Sequence, residues 1–458
     1  MVRCSVIGLV LIGLLSAGIA RAVEPDVNQP LTLSACIALA MTRNAQVKSA
    51  ERQLERTEAD VLGAWSSVLP NVNTTVFGFG RFTTGPSVRV QETPIGLDPI
   101  TQRPIYEQKE VVFEGSSRNS YSLSFSVNQT VYDGGRSQLS IRQARSGKQA
   151  AEYNLTARKE AIALAVQRQY YELLKAQKLL LVQEEAVARS RRQLEKAESL
   201  LAIGSGIEAD VLRSKVALGN DQIALINAQN ALLRARAEMN NTLGLDIDTP
   251  AAFVDSVAPP GRFPELQQAI AEAQTHNPEI HRLEQELRAT EAGVGIARGA
   301  YLPRVGLSIS YGRNGEEVNR VYQQLDKNYQ VNISTGLTYN LFDGFSKRAN
   351  LNRATATMLA AREGLEQAKQ DVALAVKRAF LELDRSKQVV EITGEHIASA
   401  AEDLRLAEER YRVGTGTILE VTDAHVNLTR AQVNNVQSRY DLKIAEAELE
   451  YAMGGRGE

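Results

Sequence analysis

The side chains that could perform catalysis or bind a metal ion are few in this sequence and poorly spaced for either task. The chain has four histidines, and the closest pair, His276 and His281, is five positions apart, whereas a helical metal pair prefers a spacing of four. There is no G-x-x-x-x-G-K-[ST] loop for nucleotide phosphates and no grouping of serine, histidine and aspartate that indicates a nucleophile. The 52 Lys and Arg nearly balance the 54 Asp and Glu, so nothing indicates nucleic-acid binding. We therefore predict a protein that is not an enzyme, with no catalytic residues, metal site or cofactor.

One pair of carboxylates has a spacing of interest for a different reason. Glu420 and Asp423 are three positions apart, so on a helix they lie on the same face. Two carboxylates on one face can attract cations, but a solvated helix face has the same pattern. The spacing alone favours the solvated face, and the choice depends on the fold that positions the helix.

The first 22 residues have the three parts of a secretory signal peptide. Arg3 provides the positive charge, Val6 to Leu15 the apolar segment, and Ala20-Arg21-Ala22 a cleavage site. A membrane-spanning helix needs about 20 apolar residues, which makes a membrane anchor the less favoured alternative. We predict an exported protein whose mature chain starts near Val23.

Cys36 is the single cysteine of the predicted mature chain, because Cys4 leaves with the signal peptide. One cysteine cannot form an internal disulfide or a cysteine-rich metal site. Leu33-Ser34-Ala35-Cys36 spells a lipoprotein-type box, but it lies well beyond the apolar segment. We predict the first turns of an amphipathic helix there and not lipidation.

The chain contains an internal duplication. Matching motifs recur at an offset of 233 positions before the first predicted hairpin and of 210 positions after it, which indicates a repeat. The offset falls because the second repeat lacks a segment that the first repeat has between Thr83 and Arg118. Four prolines in this segment predict an elongated loop. The matched motifs are Thr42-Arg43-Asn44 with Thr275-His276-Asn277, Leu69-Pro70 with Leu302-Pro303, Tyr132-Asp133-Gly134 with Phe342-Asp343-Gly344, Gly204-Ser205-Gly206 with Gly414-Thr415-Gly416, and Leu243-Gly244 with Met453-Gly454.

Each repeat contains a very long predicted helix. The segment from Ser137 to Ile203 has no proline, one glycine and apolar residues three or four positions apart, as one helical face requires. At about 1.5 Å per residue such a helix is on the order of 100 Å long, and it must pack lengthwise on other helices. Shorter helices are predicted at Asn44 to Leu69 and at Ile207 to Leu243.

Two strands are predicted in each repeat from alternating residues, and the segment near Asn71 to Phe82 is the less regular one. In VGLSISYG, from Val305 to Gly312, apolar residues alternate with Gly and Ser, and VNISTGLTYNL, from Val331 to Leu341, has the same pattern. Strands with one apolar and one small polar face suit an outer-membrane barrel; a soluble sheet is the alternative. Because lipid tolerates no open sheet edge, four strands per chain cannot stand alone. Three copies would give twelve strands, the smallest symmetric closure expected to leave a channel.

These observations predict a mainly α protein with membrane β-structure. The predicted layout is a signal peptide at 1–22; an N-terminal segment at 23–43; repeat 1 at 44–247, with a β-hairpin at about 71–131 and a turn at 204–206; a proline-rich connector at 248–264; and repeat 2 at 265–458, with a β-hairpin at about 304–341 and a turn at 414–416.

The sequence resembles the TolC-like family of outer-membrane efflux proteins over essentially the whole mature chain. The resemblance rests on the duplication, the two Leu-Pro strand entries, and the order and spacing of LTLSACIALAMTRNAQV, VYDGG, LFDGF and YRVGTGTILEVTDAHVNLTRAQ. It implies a homotrimer with a twelve-stranded β-barrel in the outer membrane of a diderm bacterium, continued by a long periplasmic α-helical barrel. It also implies an equatorial belt built from the N-terminus, the connector and the C-terminus. The implied function is passive export with a periplasmic adaptor protein and an inner-membrane pump, in efflux or type I secretion.

The resemblance also implies three sites. Glu420 and Asp423 match carboxylates that face the pore near its periplasmic entrance, where three copies would form a ring that favours cations. Asp210 and Tyr411 match polar links that hold the tapered end closed; the basic residue expected at Gly416 is absent, and Arg412 or Arg213 could compensate. The hairpin tips that dock the adaptor correspond to Ile203-Gly204-Ser205 and Val413-Gly414-Thr415.

Two functions of other classes remain open on the sequence alone. One is a soluble periplasmic scaffold of long coiled coils, and the other is an autonomous diffusion porin. The long predicted helices argue against a porin, which has no use for them. The sequence indicates neither the substrate nor the particular pump.

Overall fold

The structure is a computed structural model, and it describes residues 30–254, 261, 263–323 and 326–455. The predicted signal peptide lies outside the described residues, as does part of the proline-rich connector. The described helices are α1 (Leu33–Arg43), α2 (Ala45–Trp65), α3 (Arg136–Ala202), α4 (Glu208–Leu243), α5 (Leu266–His276), α6 (Pro278–Gly299), α7 (Val318–Tyr322), α8 (Ser346–Arg412) and α9 (Ile418–Ala452). The described strands are β1 (Asn71–Thr84), β2 (Ser87–Leu97), β3 (Pro104–Phe113), β4 (Ser116–Tyr132), β5 (Arg304–Gly315) and β6 (Tyr329–Thr338).

The chain divides into two compact units, and each unit contains parts of both sequence repeats. One comprises residues 1–49, 158–275 and 374–458, and the other comprises residues 50–157 and 276–373. The long helices α3 and α8 contribute residues to both units. None of the described helices is both long enough and apolar enough to cross a bilayer.

The duplication is visible in the way helices begin. Asn44 separates α1 from α2, and its side-chain oxygen accepts a hydrogen bond from the Gln46 amide at 2.8 Å. Asn277, 233 positions later, separates α5 from α6 and accepts from the Glu279 amide at 2.9 Å. Asparagine at these positions satisfies an amide that would otherwise lack a partner. The predicted helix from Asn44 to Leu69 is therefore α2 with its cap, and it ends at Trp65.

The two Asp-Gly corners also share one geometry. Asp133 Oδ2 accepts from the Ser137 amide at 2.9 Å, and Asp343 Oδ2 accepts from the Lys347 amide at 3.0 Å. Gly134 and Gly344 follow with φ of 75° and 66°, a left-handed conformation that costs a residue with a Cβ more than it costs glycine. At each corner a strand segment gives way to a helix of 67 residues.

Four of the six described strands form one antiparallel sheet in the order β1-β4-β5-β6. Their register aligns apolar residues with apolar residues, as in Ile309 opposite Ile333 and Val127 opposite Ile309. It also aligns polar residues: Ser308 lies opposite Ser334, and its hydroxyl is 2.8 Å from Asn128 Oδ1. The period-two alternation therefore runs across several strands and separates an apolar face from a polar one.

The prediction of an elongated loop between Thr83 and Arg118 was wrong. Strands β2 and β3 pair there as a separate two-stranded antiparallel sheet. The prolines are accommodated at tolerant positions, because Pro104 is the first residue of β3 and Pro94 lies at a register shift. Proline is accepted at strand starts and bulges, where no ladder hydrogen bond is lost. In the second repeat the short helix α7 occupies the connection between β5 and β6.

The start of the described chain pairs with the connector. The Leu31 amide donates to the Ala252 carbonyl at 2.8 Å, and the Val254 amide donates to the Leu31 carbonyl at 3.2 Å. Tyr170 of α3 is fully buried, and its hydroxyl donates to the Val254 carbonyl at 2.5 Å. These contacts join the N-terminal segment, the connector and α3 within one unit.

Cys36 lies inside this same unit, in α1. Its side chain is fully buried, and burial raises the pKa of the thiol to about 12. Thr32 caps the helix by accepting from the Ala35 amide at 3.3 Å. The residue is a small apolar core group in a regular helix.

Candidate functional site

The tips are the two turns that join α3 to α4 and α8 to α9. Gly204 and Gly414 occupy matching positions in them with φ of 75° and 79°. In the first tip the amides of Ser205 and Gly206 donate to the Leu200 carbonyl, both at 2.9 Å. These bonds satisfy a carbonyl at the helix end and reverse the chain.

Gly416, where the resemblance expects a basic residue, closes the second tip. Its amide donates to the Arg410 carbonyl at 3.0 Å. A Cβ at this position would lie 3.0 Å from Arg410 Cβ and 3.1 Å from the Tyr411 amide nitrogen. The tight turn therefore leaves little room for a side chain, which explains the glycine physically.

Each tip carries an exposed aliphatic side chain. Ile203 is 74% exposed and Val413 is 62% exposed. Neighbouring residues of the turns are small, namely Gly204, Ser205 and Thr415. The tips thus present short apolar projections to whatever lies beyond them.

Glu420 and Asp423 lie in the first turns of α9. Thr417 caps this helix by accepting from the Glu420 amide at 3.3 Å. Glu420 Oε2 in turn lies 3.3 Å from Arg410 Nη1, which belongs to the last turn of α8. Asp423 is exposed and has no ion-pair partner in the part of the chain that the structure describes. The two carboxylates therefore differ in surroundings although they share a helix face.

An adjacent side of α9 anchors it on α8. Val421, Ala424 and Leu428 are buried against Leu404 and Ala407. This apolar contact fixes the rotation of α9 about its axis, and with it the side on which Glu420 and Asp423 lie.

The structure brings three of the four predicted latch residues together. Arg213 Nη1 lies 3.8 Å from Asp210 Oδ1 within α4. The pKa of the Tyr411 phenol is raised by burial and further raised by the negative charge of Asp210. Lys196 Nζ lies 5.3 Å from the centre of the Tyr411 ring. Asp210, Arg213, Tyr411 and Lys196 thus form one polar group between α3, α4 and α8.

Arg412, the fourth predicted latch residue, is engaged elsewhere. Its Nη2 lies 2.7 Å from Glu409 Oε2, one turn earlier in α8. The cations that sequence reasoning missed are Arg410 and Lys196. The Thr-x-x-Glu pattern from Thr417 to Glu420 is a readable capping signal, but no local signal points to Arg410 as the partner of Glu420.

The structure also brings together a serine, an aspartate and a histidine that the sequence keeps apart. Ser190 donates its hydroxyl proton to Asp221, and Ser190 Oγ lies 3.5 Å from His425 Nδ1. In a hydrolytic triad the carboxylate binds the imidazole and orients it toward the serine. Here the carboxylate binds the serine, so the group lacks that arrangement. No cluster of three or more His, Cys, Asp and Glu suited to a metal ion occurs among the described residues.

Comparisons with known proteins agree on one family. The profile described as outer membrane efflux protein matches residues 36–245 and 269–455. Protein CyaE of Bordetella pertussis is 25% identical over 429 residues, which are 93% of this chain and 85% of that protein.

Solved structures show the same fold. The outer membrane protein VceC of Vibrio cholerae aligns with a TM-score of 0.77 at 18% identity, over 93% of this chain and 97% of that one. The CmeC outer membrane channel of Campylobacter jejuni aligns with a TM-score of 0.79 at 17% identity, over 92% and 85% of the two chains. The prediction of a TolC-like fold, with one four-stranded sheet and two very long helices per chain, is confirmed, and β2 and β3 are additional strands that the sequence did not predict. The chain belongs to the outer membrane efflux protein family, and the prediction of an outer-membrane efflux protein is confirmed.

Proposed function

We propose that three copies of this chain form the outer-membrane exit duct of a tripartite efflux or type I secretion system. The main support for this proposal is the strand order β1-β4-β5-β6. This order leaves one side of β1 and one side of β6 without a strand partner among the described residues. Unpaired backbone groups cannot face lipid. Because all neighbours in the sheet are antiparallel, β6 of one copy can pair antiparallel with β1 of the next, and a ring of copies removes every edge.

Three copies are the number that fits a duct. They give twelve strands, whereas two copies give eight, and an eight-stranded barrel is filled by its own side chains. The apolar face with Ile309 and Ile333 would then contact outer-membrane lipid, and the face with Ser308 and Ser334 would line water. The stacked pair Tyr311 and Tyr329, with ring centres 5.9 Å apart, suits an aromatic girdle at the membrane interface.

The helical tips would then meet the periplasmic partners. Ile203 and Val413 offer exposed apolar contacts on turns that Gly204 and Gly414 keep tight. A periplasmic adaptor protein would dock on these tips and connect the duct to an inner-membrane pump, which supplies the energy. The duct itself conducts passively.

The polar groups near the tips would control passage. Glu420 and Asp423, repeated in three copies, would attract cations at the entrance. Asp210 and Tyr411, with Lys196 and Arg213 beside them, would hold the closed state together. Arg412 would contribute less, because its guanidinium is paired with Glu409 in its own helix.

Single-channel recording in planar bilayers tests this function. The full-length protein should show a small, cation-selective conductance, and the double variant Asp210→Ala/Tyr411→Phe should show a larger one because the closed state loses its polar links. The variant Arg412→Ala is the matched control and should resemble the wild type. A large ungated conductance in the wild type would favour a porin, and a complete absence of channels would reject the duct.

Cross-linking in cells tests the partners. A photoreactive residue at Val413 should link to a periplasmic protein that is rich in helical hairpins. The same residue at Thr357, an exposed position in the opposite half of α8, should not give that adduct. Equal amounts of the cross-linked adduct at both positions, or no adduct at Val413, would contradict the proposal that the tip docks the adaptor.

A further inference from the structure

A small polar cavity of about 30 Å³ lies between α3, α4, α8 and α9. Four of the side chains that line it each have a buried nitrogen or oxygen with no hydrogen-bond partner among the described residues. These atoms are Arg189 Nε, Gln193 Nε2, Ser214 Oγ and His425 Nε2. A buried polar atom left without a partner costs about 1–3 kcal/mol, and native proteins leave few of them. Four in one cavity indicate a bound species that satisfies them.

The cavity has room for one water molecule or one small ion. A space of about 10–15 Å³ is enough for one water molecule. Ser214 is 2% exposed and His425 is 8% exposed, so these two lining residues are withdrawn from bulk solvent, whereas Glu408 is exposed. The occupant must therefore be water or a small ion.

The hydrogen bonds around His425 assign its tautomer. Ser190 has one hydroxyl proton and donates it to Asp221. Toward His425 Nδ1, 3.5 Å away, the serine oxygen can therefore only accept, which puts the ring proton on Nδ1. The Nε2 atom of the neutral ring then has a bare lone pair that needs a donor.

The remaining atoms around the cavity are mostly donors. Arg189 Nε carries a proton at all relevant pH, and the Gln193 amide nitrogen and the Ser214 hydroxyl can also donate. Arg189 is held in place because its Nη2 donates to Gln432 Oε1 at 3.1 Å and to Thr429 Oγ1 at 3.2 Å. The Arg189 guanidinium is therefore positioned before any ligand arrives.

Charged groups face His425 from every helix that packs against it. Arg189 of α3 contributes a positive charge, with Glu185 Oε2 3.6 Å from its Nη1. Asp221 of α4 and Glu408 of α8, which lines the cavity with its side chain partly in solvent, contribute negative charges. Burial lowers the pKa of His425, Arg189 lowers it further, and Asp221 partly offsets both effects. The ring is therefore neutral at neutral pH.

We propose that this cavity is a proton-linked site for a small monovalent anion such as chloride. With His425 neutral, a water molecule fits, because it accepts from Arg189 and donates to the bare Nε2. When His425 takes a proton on Nε2, the four otherwise unpartnered atoms can all donate to one occupant, and a water molecule between them loses the acceptor that Nε2 provided. A halide accepts from all of them and compensates the added positive charge, so proton and anion enter together.

Thermal unfolding of the full-length protein in detergent tests this site. At about pH 5, chloride should raise Tm relative to gluconate at equal ionic strength, because gluconate is too large for the cavity. Above the pKa of the ring, chloride affinity should fall about tenfold per pH unit, since one proton binds with each anion. At about pH 8 the two salts should give the same Tm.

Two variants and one structure determination complete the test. His425→Gln should abolish the chloride effect, whereas His396→Gln, at an exposed histidine of α8, should keep it. Bromide soaked into wild-type crystals at about pH 5 should give an anomalous peak between Arg189 Nε and His425 Nε2. A chloride effect that survives in His425→Gln, or water alone in the cavity at saturating bromide, would overturn the proposal. The bromide result uses the wild type and stands even where a variant fails to fold.

Discussion

Arg410 Nη1 lies 3.3 Å from Glu420 Oε2, and this ion pair joins the last turn of α8 to the first turn of α9 within one chain. Glu420 is therefore balanced by a cation, whereas Asp423, three positions later, is exposed without such a partner among the described residues. Both side chains of the pair are largely in solvent, so it contributes at most about 1 kcal/mol to stability. Its effect on the local charge is the more important consequence.

We expect the two candidate pore carboxylates to contribute unequally to ion selectivity. Asp423→Asn should reduce cation selectivity more than the double variant Glu420→Gln/Arg410→Ala, because the double variant removes an ion pair that has no net charge. Arg410→Ala should act in the opposite direction and increase cation selectivity. Reversal potentials in planar bilayers under a salt gradient measure these changes.

The neighbouring pair in α8 provides the control for this experiment. Glu409 and Arg412 form an ion pair at 2.7 Å, and the double variant Glu409→Gln/Arg412→Ala should change the reversal potential little. Equal losses in Asp423→Asn and in Glu420→Gln/Arg410→Ala would contradict the unequal roles.

Tyr170→Phe should destabilise the unit that contains the connector. The variant removes the hydroxyl that donates to the Val254 carbonyl and leaves that acceptor without its donor, at a cost of about 1–3 kcal/mol. The second repeat has Phe380 at the matching position, so phenylalanine suits such a helix. Urea denaturation followed by circular dichroism measures the change.

Tyr171→Phe serves as the neighbouring control. Tyr171 is also buried, but its hydroxyl makes no hydrogen bond within the described part of the chain. Its loss should change the free energy of unfolding by less than about 0.5 kcal/mol. A similar cost for both variants would mean that the bond to Val254 does not carry the effect.

The two Asp-Gly corners should respond differently to alanine. Asp133 Oδ2 accepts from both the amide and the hydroxyl of Ser137, the latter at 2.6 Å, whereas Asp343 Oδ2 accepts from the Lys347 amide. Asp133→Ala should cost about 1–2 kcal/mol and Asp343→Ala about 1 kcal/mol or less, within the range of helix caps. Chemical denaturation of the two variants, with the exposed Asp60→Ala as control, gives the comparison. A larger cost at Asp343 would contradict it.

Glu160→Gln should stabilise the protein at alkaline pH and leave it almost unchanged at acidic pH. Burial raises the pKa of Glu160 from 4.5 to about 7, so the folded state holds the proton to higher pH than the unfolded state. The stability contributed by the neutral carboxyl is complete below pH 4.5, declines as pH rises toward about 7, and is lost above it. The glutamine variant avoids this loss.

Thermal unfolding at several pH values measures this effect. The gain at about pH 8 should be on the order of 1 kcal/mol. Glu184→Gln, at an exposed position of the same helix, should give no pH-dependent gain. A constant difference between Glu160→Gln and the wild type at all pH values would contradict the assigned pKa.

Features encoded locally were predictable from the sequence. Helix starts and turns depend on a few neighbouring residues, as at Asn44 and Asn277 and at Gly204 and Gly414. Because each occurs in both repeats, the sequence indicates them twice. The alternation in the strands is also a local feature and was predictable, since its period of two depends only on the pleat of the strand.

Features that depend on packing between distant segments were not predictable. The hairpin formed by β2 and β3 was hidden by prolines that lie at its start and at a register shift. Ser190 and His425 are 235 positions apart, and only the packing of α3 against α9 brings them together. The partner of Glu420 likewise depends on the tight turn at Gly416, which brings Arg410 close to it. The positions of the charged residues in the sequence do not reveal this turn.

Pairing between β1 of one chain and β6 of the next is the most direct test of the proposed trimer. In a Cys36→Ser background, pairs of cysteines can be introduced on β1 and β6, for example at Thr74 and Ile333, and moved over several registers. The pairs are oxidised in intact cells, and denaturing electrophoresis resolves the cross-linked products. A closed ring of three copies predicts at least one register that yields linked dimers and trimers and nothing larger. Monomers at every register, from a protein that stays in solution without detergent, would contradict it.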